Sequence, residues 1–288
     1  MHFSVLLGKP VDHSISPKLF SLLADSLGIE YAHIKINVPS KKQLPIFLDD
    51  LRQLGCSGVN ITLPYKIAVM DYIDTVSPDA KQIGAVNAIY FEGKKSIGFN
   101  SDAPAALSAI EKKLKPIQPQ DSVIILGAGG AARAIASAIR KRTPHITIAN
   151  ITLHKAQSLA HDLPKSQHVR FMGLHDKALI DAIDQAQYVI NATSVGMAPN
   201  TADYPVDLSN FKGRASLKGK YFFDAIFNPY ETKFLVMAKQ KGAKTCSGMY
   251  MMIFQAAYAL EKWIGKKVMV TNLEEINLTL VGYLKRHA

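Results

Sequence analysis

The sequence predicts an α/β protein of two domains, each organised around a parallel sheet, and three observations predict it. Strand-like and helix-like patterns alternate along most of the chain, as βαβ units require. The length, 288 residues, suits two domains at roughly 150 residues each. A polar stretch with two prolines, KPIQPQD at 115–121, interrupts the alternation as a linker does. An apolar fraction of 48% with near-neutral mean hydropathy fits a chain with a packed core and excludes disorder and fibres.

The elements follow in order. FSVLLG, YAHIKINV and CSGVNITLP read as β-branched strands, separated by the helical patterns SPKLFSLLADSLG and KKQLPIFLDDLRQLG. Ala85–Tyr90 and Ser96–Asn100 read as two further strands joined through the Gly93 turn, and Ala103–Leu114 as a helix. After the linker come the strand SVIIL, a glycine turn, the helix AARAIASAIRK, the strand HITIAN and a helix over Leu153–Leu163. Strands are expected at His168–Met172, Gln187–Asn191 and Gly219–Asp224, with a long loop through Pro199, Pro205 and Gly213. Helices are expected over Thr232–Lys241, Met249–Trp263 and Asn272–Arg286. Chain order places the domain boundaries at 1–104, completed by 246–288, and at 105–245.

Charge and special residues narrow the function classes. The chain carries 34 Lys and Arg against 23 Asp and Glu, a net +11 that favours anionic ligands. The basic residues are scattered, the densest run being Arg140–Arg142, so a nucleic-acid partner is not expected. Cys56 and Cys246 lie far apart without a His cluster, which argues against a metal site and for a reduced, cytoplasmic protein. The N-terminus lacks the basic leader and cleavage site of a signal peptide. The most membrane-like stretch, Ser122–Ile139, holds Arg133 and three glycines and is a poor span.

LGAGGAARA sets Gly127, Gly129 and Ala132 in G-x-G-x-x-A spacing, after an apolar strand and at the start of a helix. Gly127 permits a tight turn, Gly129 lets backbone approach a pyrophosphate, and Ala132 allows close packing of helix on sheet. The helix N-terminus offers unpaired N–H groups to the anion. These features predict a Rossmann-type, doubly wound dinucleotide-binding domain. The next strand ends in Asn150, not in the Asp or Glu that would hold ribose hydroxyls; Lys155 follows, so NADP is favoured and NAD is the alternative.

The first domain gathers small polar residues at strand ends: Ser14 and Ser16 in HSISP, Asn60, Thr62 and Lys66 in GVNITLPYK, Asn87 in IGAVN, and Asn100 with Asp102 in GFNSD. Such loops suit a small polyhydroxylated acid. A lysine beside a carboxylate serves alcohol–ketone chemistry, donating or accepting the proton at the reacting oxygen. Singly, Ser14 and Ser16 also fit as caps of a helix starting near Pro17, Thr62 as a strand end and Lys66 as a surface lysine.

As a set, GKPVDHSISP, GVNITLPYK, IGAVNA, GFNSD, GAGGAARA, NATSVGM and SGMYMMIFQAA resemble the shikimate dehydrogenase family, in order, from Gly8 to Gln255. The resemblance implies reversible NADPH-dependent reduction of 3-dehydroshikimate to shikimate, with Lys66 and Asp102 as the catalytic pair. It implies that Ser14 and Ser16 bind the substrate carboxylate, and that Asn60, Thr62, Asn87 and Gln255 hold its ring hydroxyls and line the pocket. Gly127, Ala128, Gly129, Gly130 and Ala131 would cradle the pyrophosphate. Asn150, Thr152 and Lys155 would hold the adenosine phosphate, and Thr193, Ser194, Ala225, Gly248 and Met251 would lie along the ribose and nicotinamide. The implied protein is a cytoplasmic monomer or homodimer with a small-molecule substrate and no nucleic-acid or membrane partner.

The chain departs from the family pattern in three places. Ile151 replaces an Arg that would stack and pair with the phosphate, which weakens the expected NADP preference. Phe227 replaces a Tyr that helps to hold the substrate carboxylate. Ala88 and Ser101 stand for Thr, and Lys18, Leu19 and Phe20 interrupt the S-P-x-x-H-N continuation. Two other readings are a quinate or quinate/shikimate dehydrogenase using NAD or NADP, and a non-catalytic dinucleotide-binding regulator.

Overall fold

The computed structural model describes residues 2–163, 169–208 and 216–287. The chain divides into two compact units, Met1–Ser101 with Ile253–Ala288, and Asp102–Met252.

Unit 1 begins with β1 (His2–Gly8), α1 (Ser16–Ser26), β2 (Tyr31–Asn37), α2 (Leu44–Gln53), β3 (Gly58–Ile61), β4 (Thr75–Val76), α3 (Pro78–Ile83), β5 (Ala88–Glu92) and β6 (Lys95–Phe99). They form one six-stranded sheet in the order β2-β1-β3-β5-β6-β4. β1 lies between two parallel neighbours, and Val5 and Leu7 on it are fully buried, as a central strand covered on its faces requires. Helix α2 turns Leu44, Leu48 and Leu51 into the core at helical spacing.

The sheet is not wholly parallel as the sequence suggested. β5 runs antiparallel to both β3 and β6, and towards β6 the cause is a two-residue turn across which Glu92 and Lys95 pair and in which Gly93 adopts φ +59°. A turn that short returns the chain at once, whereas a parallel neighbour needs a long crossover. β4 and α3 escaped the sequence reading because they are too short to show a period: α3 is six residues, capped by the Ser77 hydroxyl, which accepts from the Ala80 N–H at 3.3 Å, and ended by Gly84 at φ +74°.

Unit 2 runs α4 (Asp102–Lys113), β7 (Val123–Leu126), α5 (Gly130–Arg140), β8 (Ile146–Asn150), α6 (Leu153–Asp162), β9 (Val169–Gly173), α7 (Leu179–Gln185), β10 (Tyr188–Asn191), β11 (Tyr221–Asp224), α8 (Lys233–Gln240), β12 (Lys244–Cys246) and the start of α9 (Gly248–Ile264). Its six strands are all parallel, in the order β12-β11-β10-β7-β8-β9, so the winding reverses between β7 and β10. That reversal is the ligand crevice of a doubly wound sheet. Ile124, Val189, Phe222 and Phe234 lie at its core. α7 and β12 were not singled out from the sequence; the expected strand residue His168 and the loop residue Gly213 lie outside the described residues.

The rest of α9 and α10 (Leu273–His287) belong to unit 1. Trp263 is their anchor. Its indole N–H donates to the Ile89 carbonyl at 2.9 Å, and a Cβ on Gly58 would lie only 2.0 Å from that nitrogen, so the ring occupies the space that glycine leaves on β3. Phe20, His33 and Trp263 form one aromatic cluster, with Phe20 at centroid distances of 4.2 Å from His33 and 5.3 Å from Trp263. Leu19 and Phe20, which interrupt the family pattern, are fully buried core residues. No described helix is long and apolar enough to cross a membrane.

Candidate active site

In unit 1 the strand directions put the polar loops at one edge of the sheet. The parallel strands β1 and β3 end there, and their loops start side by side, with Thr62 N–H donating to the Leu7 carbonyl at 2.9 Å. Because β5 is antiparallel, its first residues lie at the same edge, and so does the end of β6. The reversal of β5 therefore brings Asn87 and the Asn100–Ser101 segment to the loops that carry Ser14, Ser16, Thr62 and Lys66.

Side-chain amides lock this edge. Asn87 Oδ1 accepts from the Ser101 N–H at 2.7 Å while its Nδ2 donates to Ser101 Oγ at 3.0 Å, and both residues are buried. Asn60 Nδ2 donates to the Asn87 carbonyl at 3.3 Å, and Asn100 Nδ2 to the Ala85 carbonyl at 3.0 Å. The Lys66 carbonyl accepts from the Val86 N–H at 2.8 Å, so the backbone beneath the lysine is fixed while its side chain is half-buried. Ser14 Oγ donates to Ser16 Oγ at 3.0 Å and accepts from the Ser16 N–H at 3.2 Å. Neither serine caps α1, whose N-cap is Ile15 without a side-chain bond. Gln255 is a buried residue of α9, and Asp102 is the buried first residue of α4, next in sequence to Ser101.

In unit 2 the glycine turn follows β7 at the reversal. Gly127 adopts φ +113°, and a Cβ there would sit 3.0 Å from the Ala192 carbonyl oxygen and 3.1 Å from Thr193 Cγ2. Only glycine fits this turn. Around Gly129 and Gly130 a Cβ would meet nothing within 4 Å, leaving open space over the N-terminus of α5 where an anion can approach the unpaired N–H groups. Ala128 is buried and Ala131 half-buried. These residues fit a pyrophosphate.

The ends of β10 and β11 are tied together by one carboxylate. Asp224, fully buried, accepts from Thr232 Oγ1 at 2.6 Å, the Ile226 N–H at 3.0 Å and Asn191 Nδ2 at 3.1 Å. Burial still pushes its pKa up to about 6, against those hydrogen bonds. Asn191 Oδ1 in turn accepts from both N–H and Oγ1 of Thr193. Thr193 and the exposed Ser194 are thereby held beside Gly127. Gly248 packs so tightly on Ala225 that a Cβ would come within 2.3 Å of the Ala225 oxygen; Met251, a turn later on α9, is buried. The sequence reading missed this Asp224–Asn191–Thr232 bridge, although polar residues ending two apolar strands were a usable signal.

At the end of β8, Asn150 Nδ2 donates to the Thr152 carbonyl at 3.0 Å, and Thr152 is the N-cap of α6 with no side-chain cap bond. Ile151 and Lys155 are exposed.

Comparison with known proteins agrees with this fold. The family model for "Shikimate dehydrogenase substrate binding domain" matches residues 6–89, and that for "Shikimate / quinate 5-dehydrogenase" matches residues 109–210. A shikimate dehydrogenase (NADP(+)) of Bacillus subtilis is 34% identical over 281 residues, which cover 97% of this chain and 96% of the relative. The chain belongs to the shikimate dehydrogenase family. Among solved members, shikimate 5-dehydrogenase from Thermus thermophilus, in complex with NADP(H) and shikimate, is 32% identical with a TM-score of 0.84, covering 97% of this chain and 99% of that one. Quinate dehydrogenase from Corynebacterium glutamicum, in complex with NAD, is 28% identical with a TM-score of 0.85, covering 96% and 99%. The shikimate dehydrogenase resemblance carried by the seven sequence strings thus holds for the whole chain.

Proposed function

We propose that the protein catalyses the reversible NADPH-dependent reduction of 3-dehydroshikimate to shikimate, a cytoplasmic biosynthetic step. The amide-locked edge of unit 1, with Lys66 on a pinned backbone at the position that the family uses for catalysis, carries this reading. Unit 1 is the substrate domain and unit 2 the NADP domain. Nicotinamide, when bound, supplies the hydride that reduces the ketone carbon. Lys66 gives the balancing proton to the carbonyl oxygen as an alkoxide develops, and takes it back in the oxidative direction, with Asp102 as its paired carboxylate. Ser14 and Ser16 hold the substrate carboxylate; Asn60, Thr62, Asn87 and Gln255 hold the ring hydroxyls. Gly127 to Ala131 receive the pyrophosphate, Asn150, Thr152 and Lys155 the adenosine phosphate, and Thr193, Ser194, Ala225, Gly248 and Met251 the ribose and nicotinamide.

The test is the change in nicotinamide absorbance with shikimate or quinate, each paired with NADP or NAD. Turnover is expected to be best with shikimate and NADP. In Lys66→Ala it should fall by about 10² to 10⁴-fold, the usual worth of a positioned acid–base group, with the circular dichroism spectrum unchanged. A second reading, a quinate dehydrogenase using NAD, is favoured by the likeness to the Corynebacterium enzyme and by the uncharged Ile151; a preference for quinate or NAD would select it. No turnover with any pair would leave a regulatory dinucleotide-binding protein.

A further inference from the structure

A 2′-phosphate at the end of β8 needs cations, and Ile151, 65% exposed there, offers an apolar surface without charge. Arg133, on the first turns of α5, is committed to Asp162 at 2.8 Å. The neighbouring strand ends at the same edge. β8 and β9 are parallel with Asn150 opposite Gly173, and the Leu174 N–H donates to the Asn150 carbonyl at 3.0 Å, so the chain leaving β9 starts at the strand edge that carries Asn150.

That chain forms a fixed turn. The Gly173 N–H donates to Asp176 Oδ2 at 2.7 Å, the Asp176 N–H to the Gly173 carbonyl at 3.2 Å and the Leu179 N–H to the Asp176 carbonyl at 2.9 Å, while Leu174 is buried beneath. The turn's own acid is thus engaged by its backbone. His175 and Lys177 are left exposed, and Lys177, like Lys155 on α6, enters no salt bridge among the described residues.

We propose that this β9–α7 turn is a second specificity element for NADP: Lys177, assisted by His175, joins Lys155 in neutralising the adenosine 2′-phosphate, while Ile151 covers an adenine face. The inference rests on the NADP reading above. It divides between two strands a task, one part packing and one part charge, that a single side chain at 151 does not perform here.

Calorimetric binding of NADP+ and NAD+ to the full chain tests it. Lys177→Gln should weaken NADP+ by roughly five- to tenfold, the worth of one charge-assisted contact at a half-solvated site, and leave NAD+ within about twofold; His175→Gln should act in the same direction and less. Lys177→Arg should keep the preference. Ile151→Arg places a cation nearby, so in that background Lys177→Gln should cost less, a coupling that a merely structural lysine does not produce. Equal weakening of both nucleotides, no change in either, or strict additivity overturns the proposal. A wild-type protein that does not prefer NADP+ to NAD+ instead overturns the reading beneath it.

Discussion

Unit 1 builds its polar edge from side chains, and unit 2 builds its proposed anion cradle from backbone. In unit 1, Asn60, Asn87, Asn100 and Ser101 are buried and bonded across strand ends, so the residue type at each position is fixed by what it must donate and accept. In unit 2 the anion cradle is a conformation, Gly127 at φ +113° with open space over Gly129 and Gly130, and a single buried carboxylate, Asp224, ties the adjacent strand ends. A ring of hydroxyls requires matched hydrogen-bond partners, whereas a pyrophosphate requires only N–H groups and room. Damage to the two edges should therefore look different: graded in unit 1, nearly all-or-none in unit 2.

The largest effect is expected at Gly127. Gly127→Val demands a backbone conformation that costs an L residue about 1 to 3 kcal/mol and drives a side chain against the Ala192 carbonyl. Cofactor binding should be lost by calorimetry while the substrate still binds; retained NADP+ affinity would break the comparison.

Asp224 comes next. Its pKa is about 6 in the folded protein against 3.8 as the ordinary value, so between those values the unfolded chain holds fewer protons and stability falls as pH rises from about 4 to about 6. At about 1.4 kcal/mol per pKa unit the loss is on the order of 3 kcal/mol, complete above pH 6 and absent below 4. Asp224→Asn keeps an acceptor for Ile226 and titrates no longer. Urea unfolding should show the variant gaining on the wild type across that window; a pH-independent difference would show that the carboxyl is not displaced.

In unit 1, Asn87→Ala leaves the buried Ser101 N–H and hydroxyl unpartnered, at a cost of about 1 to 3 kcal/mol, read as a lower Tm. It should also raise KM for shikimate while leaving NADP+ binding intact, the graded response expected of a side-chain edge. The smallest effect sharpens the contrast from the other side. Phe227→Tyr adds one phenol in reach of a carboxylate in the family pattern and should lower KM about tenfold, the lower end of the roughly 1.5 to 3 kcal/mol that a hydrogen bond to a charged group is worth; a rise or no change would mean that another group holds the acid.

What the sequence revealed follows the same division. The all-parallel sheet of unit 2 was legible because strands alternate with helices, as parallel crossovers need, and the glycine turn has one geometry. The reversal at β5 was not, although Gly93 was recognised as a turn, because a strand's residue pattern shows burial but not direction; its partner is decided by how quickly the chain returns. The motif residues of unit 1 were legible as types, and their interlocking was not, since Asn87 and Ser101 meet only through that reversal. Ser14 and Ser16 resembled helix caps by position, yet they bond each other. Three-residue β12 and two-residue β4 lie below any period a sequence can display.

Trp263 has a consequence for the order in which the protein comes together. Its indole covers Gly58 and grips Ile89, so one face of a sheet made by residues 2–99 is completed by a side chain synthesised long after it. Unit 2 is contiguous and emerges in full before that tryptophan. Although unit 1 is the first to begin, it is the last for which every residue is available, an order opposite to the usual N-terminal-first sequence.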